Sequence, residues 1–106
     1  MKMIMAVISG DDSNAVSAAL TKSGYSVTKL ATTGGFLMSG NTTFLIGVDD
    51  DKVNDVIDVI AHHSKKRKQM VPNTNRDIGM YSAFPVEIIV GGAIVFVMNV
   101  ERFEKV

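Results

Sequence analysis

The chain has 106 residues, 46% hydrophobic and 21% charged, the balance of one folded domain with a single core. Its 11 lysines and arginines offset 11 aspartates and glutamates, so no net field draws it to nucleic acid or to a membrane surface. There is no cysteine, which excludes disulfides, thiolate metal sites and a cysteine nucleophile.

The first apolar run, MIMAVIS (residues 3–9), is bounded by Gly10 and two aspartates and predicts a buried strand. It meets Asp11 too soon for a signal peptide, and no later run is long enough to span a membrane. A cytoplasmic protein is expected. Residues 12–23 read as a helix, with Asp12 or Ser13 accepting from the free first-turn amides and Gly24 supplying the left-handed residue after the last turn. Val16, Ala19, Leu20 and Ser23 fall on one face of it. YSVTKLAT (25–32) and TTFLIGV (42–48) are further strands. A second helix starts at Asp49–Asp51 and carries Val53, Val56, Ile57 and Ile60 on one stripe, acidic at its start and basic at its end as the helix dipole favours. Residues 62–83 show no clear period and contain the basic run KKRK (65–68). FPVEIIV and AIVFVMNV then flank Gly91 and Gly92, a two-residue turn of the kind that closes a tight hairpin.

This order predicts an α+β, ferredoxin-like fold: βαββαβ plus a C-terminal strand, in a single domain spanning 1–106. Both helices cover one face of an antiparallel sheet. A sheet wetted on its other face alternates apolar and polar residues. MIMAVI, EIIV and AIVFV hardly alternate, so the second face is expected to be buried against another copy of the chain.

Constellations for catalysis are missing from the sequence. His62 and His63 are adjacent, about 100° apart on a helix, a poor chelating pair without zinc spacing. Asp49–Asp51 lacks the spaced oxygens and distal glutamate of a calcium loop and suits a helix start better. No nucleophile elbow surrounds any serine, and KKRK reads as a solvated basic helix terminus. The protein is expected to be no enzyme and to hold no metal and no cofactor.

Residues 32–41, TTGGFLMSGN, are different. Gly34, Gly35 and Gly40 permit tight turns and close approach by a ligand, and successive amides in such a loop form an anion-binding concavity. Thr32, Thr33, Asn41 and Thr42 offer hydrogen bonds, and Phe36 offers a face for a base. No Gly-Lys-Ser/Thr follows, so it is not a Walker loop. The alternative is a connection whose Phe36, Leu37 and Met38 pack on a neighbouring subunit.

TKLATTGGFLMSGNTTFLIGV (28–48) and FPVEIIVGGAIVFVMNVERFE (84–104) together strongly resemble the PII-like cyclic di-AMP receptors of the PstA or DarA type, over essentially the whole chain. The resemblance implies a bacterial, cytoplasmic signalling homotrimer with a ferredoxin-like protomer and one nucleotide site at each of three subunit clefts. It implies no membrane or nucleic-acid partner and leaves the downstream protein partner unnamed. Carried across by position, the ligand-binding residues are Thr28, Gly35, Phe36, Leu37, Asn41, Gly47 and Phe96.

Three positions depart from that pattern. Ser26 stands where the family's arginine helps hold the ligand, Gly24 where an asparagine often contributes, and Lys105 where a glutamine reaches the ligand. Ser26 and Lys105 are therefore further candidate ligand residues. Losing one charge-assisted hydrogen bond costs about 1.5–3 kcal/mol. Two functions follow: a sensor that binds cyclic di-AMP at inter-subunit clefts and relays it by ordering residues 32–41 and 66–83, or a trimeric protein-interaction module whose nucleotide specificity is lost or shifted to ATP or ADP.

Overall fold

The computed structural model describes residues 1–30, 40–71 and 86–106. In chain order they form β1 (Lys2–Ser9), α1 (Gly10–Lys22), β2 (Thr28–Leu30), β3 (Asn41–Val48), a 3-10 turn (Asp50–Lys52), α2 (Val53–His63), β4 (Arg67–Val71), β5 (Val86–Val90) and β6 (Ala93–Asn99). Four strands make one antiparallel sheet in the order β2-β3-β1-β6. With α1 following β1 and α2 following β3, this is the ferredoxin-like arrangement.

The register explains the core. Ile4, Ala6 and Ile8 of β1 share a face with Phe44, Ile46 and Val48 of β3, and Val16, Leu20, Val56 and Ile60 descend on them from the two helices. On α2 the expected stripe is buried at Val56 and Ile60 and half-buried at Val53 and Ile57. On α1 the buried face runs through Asp12, Ser13, Val16 and Leu20, while Ser23 is exposed.

Both ends of α1 are capped. Ser23, Gly24 and Tyr25 close it as a Schellman motif: the Gly24 amide donates to the Thr21 carbonyl and the Tyr25 amide to that of Leu20, each at 3.0 Å. Gly24 has φ +92°, the left-handed geometry expected of it. The other end differs from expectation. Ser9, not Asp12 or Ser13, is the N-cap, its hydroxyl accepting from the Asp11 amide at 3.3 Å. The Ser13 hydroxyl turns back to the Gly10 carbonyl at 2.8 Å, and the Asp12 carboxylate is committed elsewhere.

Gly91 and Gly92 do not close a hairpin between the strands on either side. β5 pairs with β4 in a separate two-stranded sheet, and β6 pairs with β1 at the edge of the main sheet. The glycines, at φ +85° and +84°, instead form a joint between the two sheets. The Gly92 amide donates to the Ser64 carbonyl, so the chain leaves α2 and returns to β6 through one narrow neck. β4 itself was hidden in the aperiodic KKRK region, because Arg67, Lys68 and Gln69 carry no apolar alternation. The additional strands are thus inserted before the last strand of the main sheet rather than appended after it.

The face of the main sheet away from the helices carries Met3, Met5 and Val7 with Ile94, Phe96 and Met98 paired opposite them. Ile94 is 58% exposed and Phe96 40%. The β4–β5 sheet is open as well: Ile88 and Ile89 point to opposite faces, and Ile89 is 70% exposed.

Candidate functional site

This face, exposed along β6 but closed over Val7 and Thr43, collects four of the residues singled out from the sequence. Odd-numbered positions of β3 point to it, so Asn41 and Gly47 share it with Thr43 and Leu45. Thr28 is opposite Leu45, Leu45 opposite Met5, and Met5 opposite Phe96, which puts Thr28 and Phe96 at the two ends of one cross-strand row. Three strand spacings separate them, about 14 Å. Thr28 belongs to one edge strand of the sheet and Phe96 to the other. Gly35, Phe36 and Leu37 lie outside the described residues.

At the end of β3 the edge of the sheet opens into a cavity of 270 Å³. Its origin is legible in residue size. Continuing the β2–β3 register two pairs beyond Thr28 and Leu45 brings Ser26 toward Gly47, and neither residue has bulk to fill the space. Tyr25 and Gly24 form one wall, and Val48, Asp49 and Lys52 another, where β3 runs into the 3-10 turn. The Met1 side chain lies against Gly47, its methyl 3.2 Å from where a Cβ would stand. The Met1 ammonium is held 2.8 Å from Asp50, and that hydrogen bond, with the attraction of the ammonium and of Lys2, keeps the Asp50 carboxyl below the ordinary carboxylate value.

Ser26 and Gly47 are therefore brought together, whereas Lys105 is exposed beyond β6 and does not line this cavity. Asp49 and Lys52 were not among the candidates from the sequence. Their only signal was position, in that they directly follow a strand carrying a site glycine. One further group stands out on the same face. The Thr43 hydroxyl, between Asn41 and Leu45 on β3, is buried and finds no hydrogen-bond partner among the described residues. Among the described residues no three histidine, aspartate or glutamate side chains cluster to hold a metal ion. No helix among them is long and apolar enough to cross a membrane.

Element order, sheet order and the paired edge residues define a ferredoxin-like α+β protein with a small-residue cleft at a sheet edge. A family profile described as cyclic-di-AMP receptor matches residues 1–106, and the chain belongs to that family. The resemblance drawn from the diglycine loop and the C-terminal strands is thereby established. A receptor family binds its nucleotide in signalling rather than transforming it. The fold is also similar to a crystal structure of a protein of unknown function from Pediococcus pentosaceus ATCC 25745, with TM-score 0.77 and 35% identity, covering 99% of this chain and 96% of that one.

Proposed function

We propose that the protein is a non-catalytic cytoplasmic sensor that binds cyclic di-AMP in clefts between the subunits of a homotrimer. The observation that carries this reading is the placement of Thr28 and Phe96 on opposite edges of one sheet, about 14 Å apart. A compact site that uses both takes them from two chains. The uncovered apolar surface supports the same conclusion. An isolated two-stranded sheet is marginal in water, yet β4–β5 shows Met70 and Ile89 more than half exposed. A neighbouring subunit that covers it, together with Ile94 and Phe96, removes this surface from water at about 25 cal/mol per Å².

Ligand occupancy is relayed to a protein partner by a change of order in residues 32–41 and 66–83, of which 32–39 and 72–83 lie outside the described residues. Calorimetric titration with cyclic di-AMP tests the binding, with ATP in parallel, and light scattering tests the assembly. Saturation near one cyclic di-AMP per chain and a mass of three chains are expected. A mass of one chain at micromolar concentration removes the shared site. Ser26 motivates the second reading, since the cleft has lost its arginine. No saturation with cyclic di-AMP, in a protein that is still trimeric, favours a partner-binding module, and saturation with ATP favours altered specificity.

A further inference from the structure

Cyclic di-AMP carries two phosphodiester anions, and on the proposed reading the cavity between Ser26 and Gly47 belongs to its cleft. Neither of those residues brings a charge. Three of the residues that line the cavity carry a charge: Met1 through its ammonium, Asp49 and Lys52. The first is occupied, 2.8 Å from Asp50. The second repels phosphate. Lys52 takes part in no ion pair among the described residues. Its backbone is fixed by the 3-10 turn, where its amide donates to the Asp49 carbonyl at 2.9 Å, so the side chain starts from a set position on the cavity wall.

We propose that Lys52 is the phosphate-binding cation of this cleft, compensating from the 3-10 turn for the absence of a positive charge at Ser26. A lysine serves here as a point charge on a flexible stem, which suits a phosphodiester that arrives over a wall of small residues. Asp49, beside it, repels a second anion and accepts from an amino group, which favours a purine bearing an exocyclic amine over a simple phosphate.

The test is calorimetric titration of cyclic di-AMP into the unsubstituted protein, Lys52→Gln, Lys52→Arg and the Ser26→Arg/Lys52→Gln double variant. Lys52→Gln is expected to weaken binding by about 10- to 100-fold, the range of one charge-assisted hydrogen bond. Lys52→Arg retains binding within a few-fold, and Ser26→Arg restores what Lys52→Gln loses. The loss narrows as ionic strength rises, because the contribution is coulombic and partly exposed. Equal binding by Lys52→Gln and the unsubstituted protein overturns the proposal and leaves the cyclic di-AMP reading standing. Equal weakening by the arginine and glutamine variants also overturns it, since the side chain then acts through shape and not charge. An unsubstituted protein that does not saturate removes both.

Discussion

Arg67, at the start of β4, grips both carboxylate oxygens of Asp12 in the first turn of α1, with Nη2 2.9 Å from Oδ1 and Nη1 3.3 Å from Oδ2. The same Nη1 donates to the Lys65 carbonyl, at the neck through which β4–β5 is attached. One guanidinium therefore ties the inserted sheet to the helical layer, and the Asp12 hydrogen bond and charge strengthen its hold on its own proton. The two partners are unequally exposed: Asp12 is almost buried, Arg67 nearly half open.

That asymmetry sets the order of two substitutions. Arg67→Met is expected to lower the melting temperature more than Asp12→Asn, because it leaves a buried carboxylate without its partner. Asparagine keeps hydrogen-bonding capacity and releases only a guanidinium that water can solvate. Thermal melts of both variants and of the double variant check this. The reverse order refutes the burial argument, and strict additivity in the double variant shows that the contact carries no coupling.

Gly24 and Gly91 share a left-handed backbone, at φ +92° and +85°, but differ in surroundings. A Cβ on Gly24 meets nothing within 4 Å, whereas one on Gly91 lands 2.5 Å from the Lys65 carbonyl oxygen and 2.8 Å from Arg67 Nη1. Gly24→Ala is expected to cost about 1 kcal/mol from backbone preference. Gly91→Ala adds a clash with backbone and is expected to cost at least about 2 kcal/mol. Urea unfolding of the two variants measures the difference, and equal costs refute the tight neck.

Thr43 offers a test of the sheet face away from the helices. Its buried hydroxyl has no partner among the described residues, a situation that costs about 1–3 kcal/mol relative to a satisfied group. Thr43→Val replaces it with a side chain of nearly the same shape. The isolated chain is expected to be unchanged or stabilised by up to about 1 kcal/mol. If a neighbouring subunit or the nucleotide supplies the missing hydrogen bond, the same substitution weakens assembly or binding. Denaturation at low protein concentration, followed by light scattering and titration, separates these effects.

Asp50 gives a pH signature. Its carboxyl is held below the ordinary value, first by the hydrogen bond from the Met1 ammonium and then by its charge. A depressed folded pKa contributes stability that is fully present above the unfolded value, about 3.9, and is lost as pH falls through the folded one. Carbon-detected NMR titration of Asp50 should show this low midpoint. Acetylation of the terminal amine should return it toward the ordinary value, and an unchanged midpoint after acetylation refutes the pair.

Local chemistry determined much of this protein without reference to tertiary structure. The strand MIMAVIS, the Schellman end at Gly24, the α2 stripe through Val56 and Ile60 and the ferredoxin-like order all follow from periodicities and caps that act within a few residues. The long diglycine motif and the C-terminal strands likewise marked the receptor family before any geometry was known. What escaped depended on pairings between distant parts of the chain. Gly91 and Gly92 have the composition of a hairpin turn, but β1 offers β6 a longer apolar edge and Arg67–Val71 offers β5 its own partner. Asp12 has the composition of an N-cap, but a guanidinium 55 residues away outcompetes the helix amides for its carboxylate. The cavity with Lys52 on its wall is lined by two small residues, Ser26 and Gly47, that are 21 positions apart in the chain and meet only in the fold. Sequence sets which residues are small, charged or apolar; only the folded sheet decides which of them face one another.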